Sequence, residues 1–351
     1  MEESMKRFMM FGLALLLLGP TLFADHANVM PARVGRFFIA PTFITFDREF
    51  NTSGERTGSR GGDEVPSTRM FNLGFALEYG ITSWITGAIQ WAPGINLWSD
   101  VDTDIALPGL HSSSGAVISD MGDIFVGAKI QIIGPAAPIA SDRFRLAFGP
   151  GLKIPLPGPD FRDEIGNNTP NVATIDNHVL GLGLRSYFDW VVSEFFYLNL
   201  YNEVIFYPIR GRYRDLGFGQ AMMSRLGASA DVDFRYELTF EIEPTFTYRL
   251  QDPTIALELG LPFTYFFTPG YSVSNVRDAV FSPTPGVYLP VHSPSNQGEV
   301  HRLSFGPNVS AFFMEWPVPL EFRLSYSIPL WGINTPVRHV VGLQVRAYFR
   351  I

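Results

Sequence analysis

Over long stretches of this chain apolar residues occupy every second position, and each such stretch reads as a strand with one apolar and one polar face. The final stretch shows the pattern most plainly. Val341, Leu343, Val345, Ala347, Phe349 and Ile351 alternate with Gly342, Gln344, Arg346, Tyr348 and Arg350. A two-faced strand that runs to the last residue is how the closing strand of an outer-membrane β-barrel is written, with alternate side chains meeting lipid and lumen.

Eleven further segments carry the same alternation: residues 33–46, 70–79, 84–97, 120–133, 143–155, 180–188, 196–203, 233–248, 255–267, 303–313 and 320–328. In the clearest, Phe234, Tyr236, Leu238, Phe240 and Ile242 oppose Asp233, Arg235, Glu237, Thr239, Glu241 and Glu243. Together they predict an all-β fold, a transmembrane antiparallel outer-membrane β-barrel of about 12 strands. The count rises to 14 if residues 271–291 hide a hairpin, against which Pro283, Pro285 and Pro290 argue.

The connections test this independently. Residues 80–83, 190–193, 251–253 and 314–318 are short, whereas 47–69, 98–119, 156–175, 209–230 and 268–300 are long and rich in Gly, Ser, Asp, Asn and Pro. Short periplasmic turns alternating with long external loops are a barrel's signature. An even strand count leaves both termini on the periplasmic side, so the first connection is external, and it is long. Residues 134–142 are middling for a turn, and 331–336 are short for an outer loop. A soluble β-sandwich also alternates, but its strands are typically about five or six residues long. These run to roughly 10–16, enough to cross a bilayer at a tilt. Trp84, Trp91, Trp190, Trp316, Trp331 and Tyr265 near strand ends read as interfacial girdles.

Composition agrees. Of 351 residues 14% are aromatic and only 17% charged, against roughly 25% charged in soluble domains. Mean hydropathy is only +0.11, and beyond the N-terminus no run of about 18 uncharged apolar residues exists, which excludes a helical membrane protein. At the start, Lys6 and Arg7 precede the apolar residues 8–18, then Gly19, Pro20 and Leu22-Phe23-Ala24. That is the form of a secretory signal peptide cleaved after Ala24, which makes residues 1–24 the signal and 25–351 a single barrel domain. The chain has no cysteine, so neither disulfides nor thiolate zinc sites are expected. A net charge of −8 without a basic stripe gives no support for nucleic-acid binding.

The phase opposite the apolar one is the functional surface. It carries Glu78, Asp123, Lys129, Arg145, Lys153, Arg185, Glu203, Arg235, Glu237, Glu241, Glu243, Glu258, Arg302, Glu321, Arg323 and Arg346, which we read as lumen-lining. Charges of both signs in a narrow lumen must be hydrated or paired. They form either a structural ladder of ion pairs or a solute path whose selectivity they set, with Glu237, Glu241 and Glu243 the best candidates for a local field. Asp100, Asp102 and Asp104 could ligate calcium in a loop, but no EF-hand pattern is completed and a solvated loop is the simpler reading. The six histidines are dispersed. A hydrolase needs a nucleophile with a positioned base, and no Gly-x-Ser-x-Gly elbow appears. Neither catalysis, metal nor cofactor is expected.

Three segments carry a resemblance to a known family: Leu77-Glu78-Tyr79-Gly80-Ile81-Thr82-Ser83-Trp84, Met121-Gly122-Asp123-Ile124-Phe125-Val126-Gly127-Ala128-Lys129 and Leu152-Lys153-Ile154-Pro155-Leu156-Pro157-Gly158. This region resembles the outer-membrane transporters named after the meta pathway of phenol degradation, themselves similar to the long-chain fatty-acid channel (FadL-like) group. The resemblance implies passage of hydrophobic small molecules across the outer membrane. Fatty-acid channels have fourteen strands and an N-terminal plug, whereas here only Asp25 to Ala32 precede the first strand, too few for a full plug.

The expected function is therefore passive uptake of small solutes, hydrophobic ones included, through a channel in the bacterial outer membrane. The alternative is a structural or adhesin-like surface protein with a closed lumen. Expected partners are outer-membrane lipid, the solute, and the barrel-assembly machinery and periplasmic chaperones during biogenesis. Assembly signals usually end in an aromatic residue. Here Val345, Ala347, Phe349 and Ile351 form the candidate signal, with Ile351 last.

Overall fold

Each alternating segment pairs with the next along the chain, and the last pairs with the first. The computed structural model describes residues 27–58, 68–101, 123–156, 180–208, 211–212, 229–232, 235–250, 255–277, 280–284, 287–290 and 298–350. The wall strands are β1 (Val34–Phe46), β2 (Thr68–Gly80), β3 (Ile85–Val101), β4 (Asp123–Gly134), β5 (Phe144–Pro155), β6 (Gly181–Val191), β7 (Phe196–Tyr207) and β8 (Arg235–Arg249). They continue with β9 in two pieces (Ile255–Gly260 and Phe263–Thr268), β10 in two pieces (Val300–Phe305 and Asn308–Phe313), β11 (Leu320–Ile333) and β12 (His339–Arg350). Every neighbouring pair is antiparallel, and β12 closes on β1 in a register from Val34 against Arg350 to Thr45 against His339. The result is a closed twelve-stranded barrel.

Proline explains the two breaks. Pro262 interrupts β9 and Pro307 interrupts β10, because neither can donate to the ladder. Their carbonyls still accept: the Gly306 N–H donates to the Pro262 oxygen at 2.8 Å and the Tyr326 N–H to the Pro307 oxygen at 3.0 Å. One strand earlier, the Leu261 N–H donates to the Pro244 oxygen at 3.0 Å. The wall therefore stays closed through the irregularity, and Leu259 and Phe263, one on each side of it, both face outward.

The outward phase is apolar all the way round. Phe37 on β1, Leu77 on β2, Leu184 on β6, Phe240 on β8, Leu324 on β11 and Leu343 on β12 are all exposed, and the strands between contribute others. A continuous apolar belt of this extent is far larger than water-soluble surfaces carry; lipid is the solvent it suits. Trp190 and Trp316 lie at the short-turn end and Trp331 at the long-loop end. Trp91 instead stacks in mid-wall, 6.0 Å from Phe75, which in turn lies 6.4 Å from Phe37.

The irregular connections also have physical explanations. Residues 331–336 can be short because Thr335–Pro336 pairs with Arg48–Phe50, itself in a hairpin with Arg56–Gly58, so two external connections are joined at the rim. Asn334 takes the left-handed conformation there at φ 49, which asparagine tolerates better than most residues. In the 134–142 turn, Ile139–Ala140 folds back beside Ile133–Gly134. Within residues 271–291 a hairpin does form, Val280–Thr284 against Val287–Pro290, but it stands as a separate sheet and adds no strand to the wall. In a two-stranded sheet both strands are edges, so Pro283 and Pro290 are accommodated, while Pro285 lies outside the described residues.

At the closing seam Phe349 pairs with Gly35, and its ring occupies the space a side chain at Gly35 would need. Val345 and Ala347 share its outward phase. Ile351 and residues 1–24, expected from the sequence to be a signal peptide, lie outside the described residues. The folded protein should migrate differently on gels before and after boiling. Phe349→Ser should lower the heat-modifiable fraction several-fold at unchanged synthesis; an unchanged fraction would show that this strand end does not direct assembly.

Candidate functional site

Side chains on strands that are not neighbours can meet only across the interior, so their contacts identify the inward phase. Arg185 on β6 donates to the Gln90 side-chain oxygen on β3 at 2.6 Å, and the Tyr197 hydroxyl on β7 donates to Glu258 on β9 at 3.1 Å. Arg323 on β11 lies 3.3 Å from Glu243 on β8, and Lys153 on β5 lies 3.3 Å from Glu237 on β8.

Towards the short-turn end the charged residues are deeply buried and tightly paired. Arg346 meets Glu321 at 2.9 Å with both side chains almost inaccessible, and the Tyr348 hydroxyl donates to the same carboxylate at 2.6 Å. Arg145 lies 3.7 Å from Asp189, and Asn308 donates to Glu243 at 2.9 Å. At the same level Arg36, opposite Tyr348, binds Glu78 at 2.6 Å; further along, Arg185 pairs with Glu203, which also accepts from Tyr201 at 3.0 Å. Nearer the long loops, Lys153 lies 3.2 Å from Asp123 and donates to the Tyr207 hydroxyl at 2.8 Å, while Arg235 lies 3.8 Å from Glu237. Glu241 accepts from Thr264 at 2.6 Å, so the acidic series Glu237, Glu241 and Glu243 is partnered at every member rather than a bare field. Lys129 lies over the Tyr187 ring at 4.0 Å and Arg302 over Phe266 at 4.8 Å. Of the Asp100, Asp102 and Asp104 series, the last two lie outside the described residues.

Two central participants were absent from the sequence-derived set, Arg36 and Asp189. Each shares its phase with inward residues, Arg36 with Phe38 and Asp189 with Arg185 and Tyr187. Arg36 already lies inside the 33–46 segment, and extending the 180–188 alternation by one position finds Asp189.

Residues 27–33 turn into the lumen at its short-turn end. The Ala27 N–H donates to both carboxylate oxygens of Asp189 at 3.1 Å, and Gln131 donates to the Ala27 oxygen at 3.0 Å. The Met30 N–H donates to Thr86 at 2.7 Å, and its side chain packs against Ala256, Phe312 and Tyr348. The segment is thus held by β3, β4 and β6 on one side and β9, β10 and β12 on the other. Gly80 makes this possible, because a Cβ there would collide with the backbone of Met30 and Pro31. Residues 27–33 occupy this end, which Glu321, Arg346 and Tyr348 also narrow.

Beside this segment the wall carries a glycine saddle. Side chains added at Gly127, Gly151 or Gly183 would strike the Phe125 ring, so that ring lies flat on the wall, with the Arg185 guanidinium 3.6 Å from its centre. A cavity opens here, lined by Asn28, Glu78, Gln90, Phe125, Lys129 and Arg185.

A closed up-and-down barrel with an apolar belt and a charged, partly filled lumen has the architecture of outer-membrane channels. The chain is similar in fold to an outer-membrane channel from Pseudomonas putida F1, at TM-score 0.57 and 14% identity over 93% of this chain and 100% of that one. Looser superpositions are with a Pseudomonas aeruginosa FadL homologue (TM-score 0.36, 11% identity, 95% of this chain and 96% of that one) and the Ralstonia pickettii toluene transporter TbuX (TM-score 0.38, 9% identity, 96% and 93%). No protein-family model and no curated protein matches the chain.

Arg346→Met would leave Glu321 buried without its cation. Urea unfolding in detergent should show a loss of about 3–5 kcal/mol, and Arg346→Met combined with Glu321→Met should recover most of it.

Proposed function

We propose that this chain is an outer-membrane channel. Exported by its N-terminal signal and delivered by periplasmic chaperones to the barrel-assembly machinery, it places its apolar belt in outer-membrane lipid. Small solutes, hydrophobic ones included, then cross its lumen passively. The observation that carries this reading is the cavity beside the N-terminal segment. Its wall alternates cation and aromatic faces, Arg185 over Phe125 and Lys129 over Tyr187, and at about 20 Å³ it leaves room for a water inside the bore. Resemblance to the phenol-pathway transporters supports the same class of solute.

The placement of residues 27–33 favours a second reading, a structural or surface-interaction barrel whose lumen is closed. Planar-bilayer recordings of the refolded protein separate the two. A channel should give discrete conductance, raised by deletion of residues 27–31 and lowered by Gly151→Val, which lifts the Phe125 ring into the bore. Stable insertion with silence in both the intact and the deleted protein would overturn the channel reading in favour of the closed barrel.

A further inference from the structure

The apolar outward phase is interrupted at one level of the wall. Ser186 on β6 shares its phase with Leu184 and Trp190, and Asn202 on β7 shares its phase with Val204 and Phe206, all four of which are exposed on the outside. The opposite phase of the same two strands carries Arg185, Tyr187, Tyr201 and Glu203, which contact one another in the lumen. Ser186 and Asn202 therefore face lipid. They are register partners at mid-strand, with apolar outward residues on either side of them along both strands. Away from the strand ends, the outward phase of the described wall strands is otherwise apolar or aromatic.

The bond between these two side chains leaves most of their polarity unused. The Asn202 amide donates to the Ser186 hydroxyl oxygen at 3.5 Å, a long contact. No other hydrogen bond joins either side chain to a described residue. The amide oxygen and its second N–H are thus left facing hydrocarbon, where acyl chains offer neither donor nor acceptor and an unpaired amide is costly. Lipid head groups lie half a bilayer away, about 15 Å. Across the strands the same row continues into Phe148 on β5, opposite Ser186, and Phe240 on β8, opposite Asn202. Two short polar side chains therefore lie between two rings, as a polar notch flanked by apolar ridges.

We propose that the outer face of β5–β8 is where two copies of this chain associate in the membrane, with Asn202 of each copy hydrogen-bonded to Asn202 of the other. A carboxamide carries both donor and acceptor, so a two-fold axis beside Asn202 lets each copy give one N–H and receive one at its oxygen. The patch is its own complement. Polar side chains join membrane segments in this way, because no water competes for them. The contact lies wholly on the outside of the wall, so each copy keeps its own lumen and the pairing does not depend on whether that lumen conducts.

The test follows the refolded full chain by sedimentation equilibrium in density-matched detergent micelles, with heat-modifiable migration reporting the folding of each variant. The intact chain should show a monomer–dimer equilibrium. Asn202→Leu, which makes this face uniformly apolar, should weaken it roughly tenfold or more, and Asn202→Gln, which keeps an amide, should retain part of it. Because the chain has no cysteine, a single introduced thiol reports which face is in contact in lipid vesicles. Val204→Cys, next along the outward phase of β7, should be joined to its copy by a short bismaleimide, and Leu343→Cys, across the barrel on β12, should not. A chain that stays monomeric at every concentration, a dimer that Asn202→Leu leaves equally strong, or cross-linking from Leu343→Cys but not from Val204→Cys would each overturn the interface. A purified chain that is monomeric, but whose Val204→Cys form is captured in cells by a different outer-membrane protein, would give the face to that protein and overturn the pairing as well.

Discussion

The seam between β1 and β12 is the contact on which everything else depends. Ten register pairs join strands at opposite ends of the chain. Were it open, two long strands would present unpaired N–H and C=O groups, which is an aggregation hazard in water and prohibitively costly in hydrocarbon. Closure removes both edges at once. It also fixes which phase is inside, because alternate side chains of a closed sheet have only two places to go. Phe349 lying over Gly35 fills a position on this seam where the opposing strand offers no side chain.

Closure also dictates the lumen's electrostatics. Once the polar phase is turned inward, its charges share a confined space and pair with whatever lies across from them. Pairing tightens towards the short-turn end: Arg346 and Glu321 are about 1% and 0% exposed there, whereas Lys153 and Asp123, near the long loops, keep 25% and 22%. The N-terminal segment docks where the side chains already leave least space. Among the described residues the interior therefore grades from a packed floor to a more open mouth.

The strands were legible because period-2 patterning needs only local information. It survived even the Pro262 and Pro307 breaks, since the chain resumes in the same phase after each. The alternation of turn lengths was legible for a similar reason. Cross-lumen partners were not. Nothing in spacing tells Arg185 that Gln90 is its neighbour, or Lys153 that Glu237 is, because those contacts depend on barrel circumference and strand stagger. The docking of residues 27–33 was hidden for the same reason: seven irregular residues carry no period, and their fit depends on a cavity made by six strands.

The Ala27–Asp189 contact joins residues 162 apart in the chain. Contacts that close such long loops form late, since their entropy must be met before they return anything. Asp189 has no fixed position until β6 is bonded on both flanks, and the Met30 contacts to β9, β10 and β12 do not exist until the wall is nearly complete. Residues 27–33 come early in the chain and are thus among the last of the described residues to find their place. Their contacts need strands from both sides of the wall, so a docked segment is the mark of a finished ring.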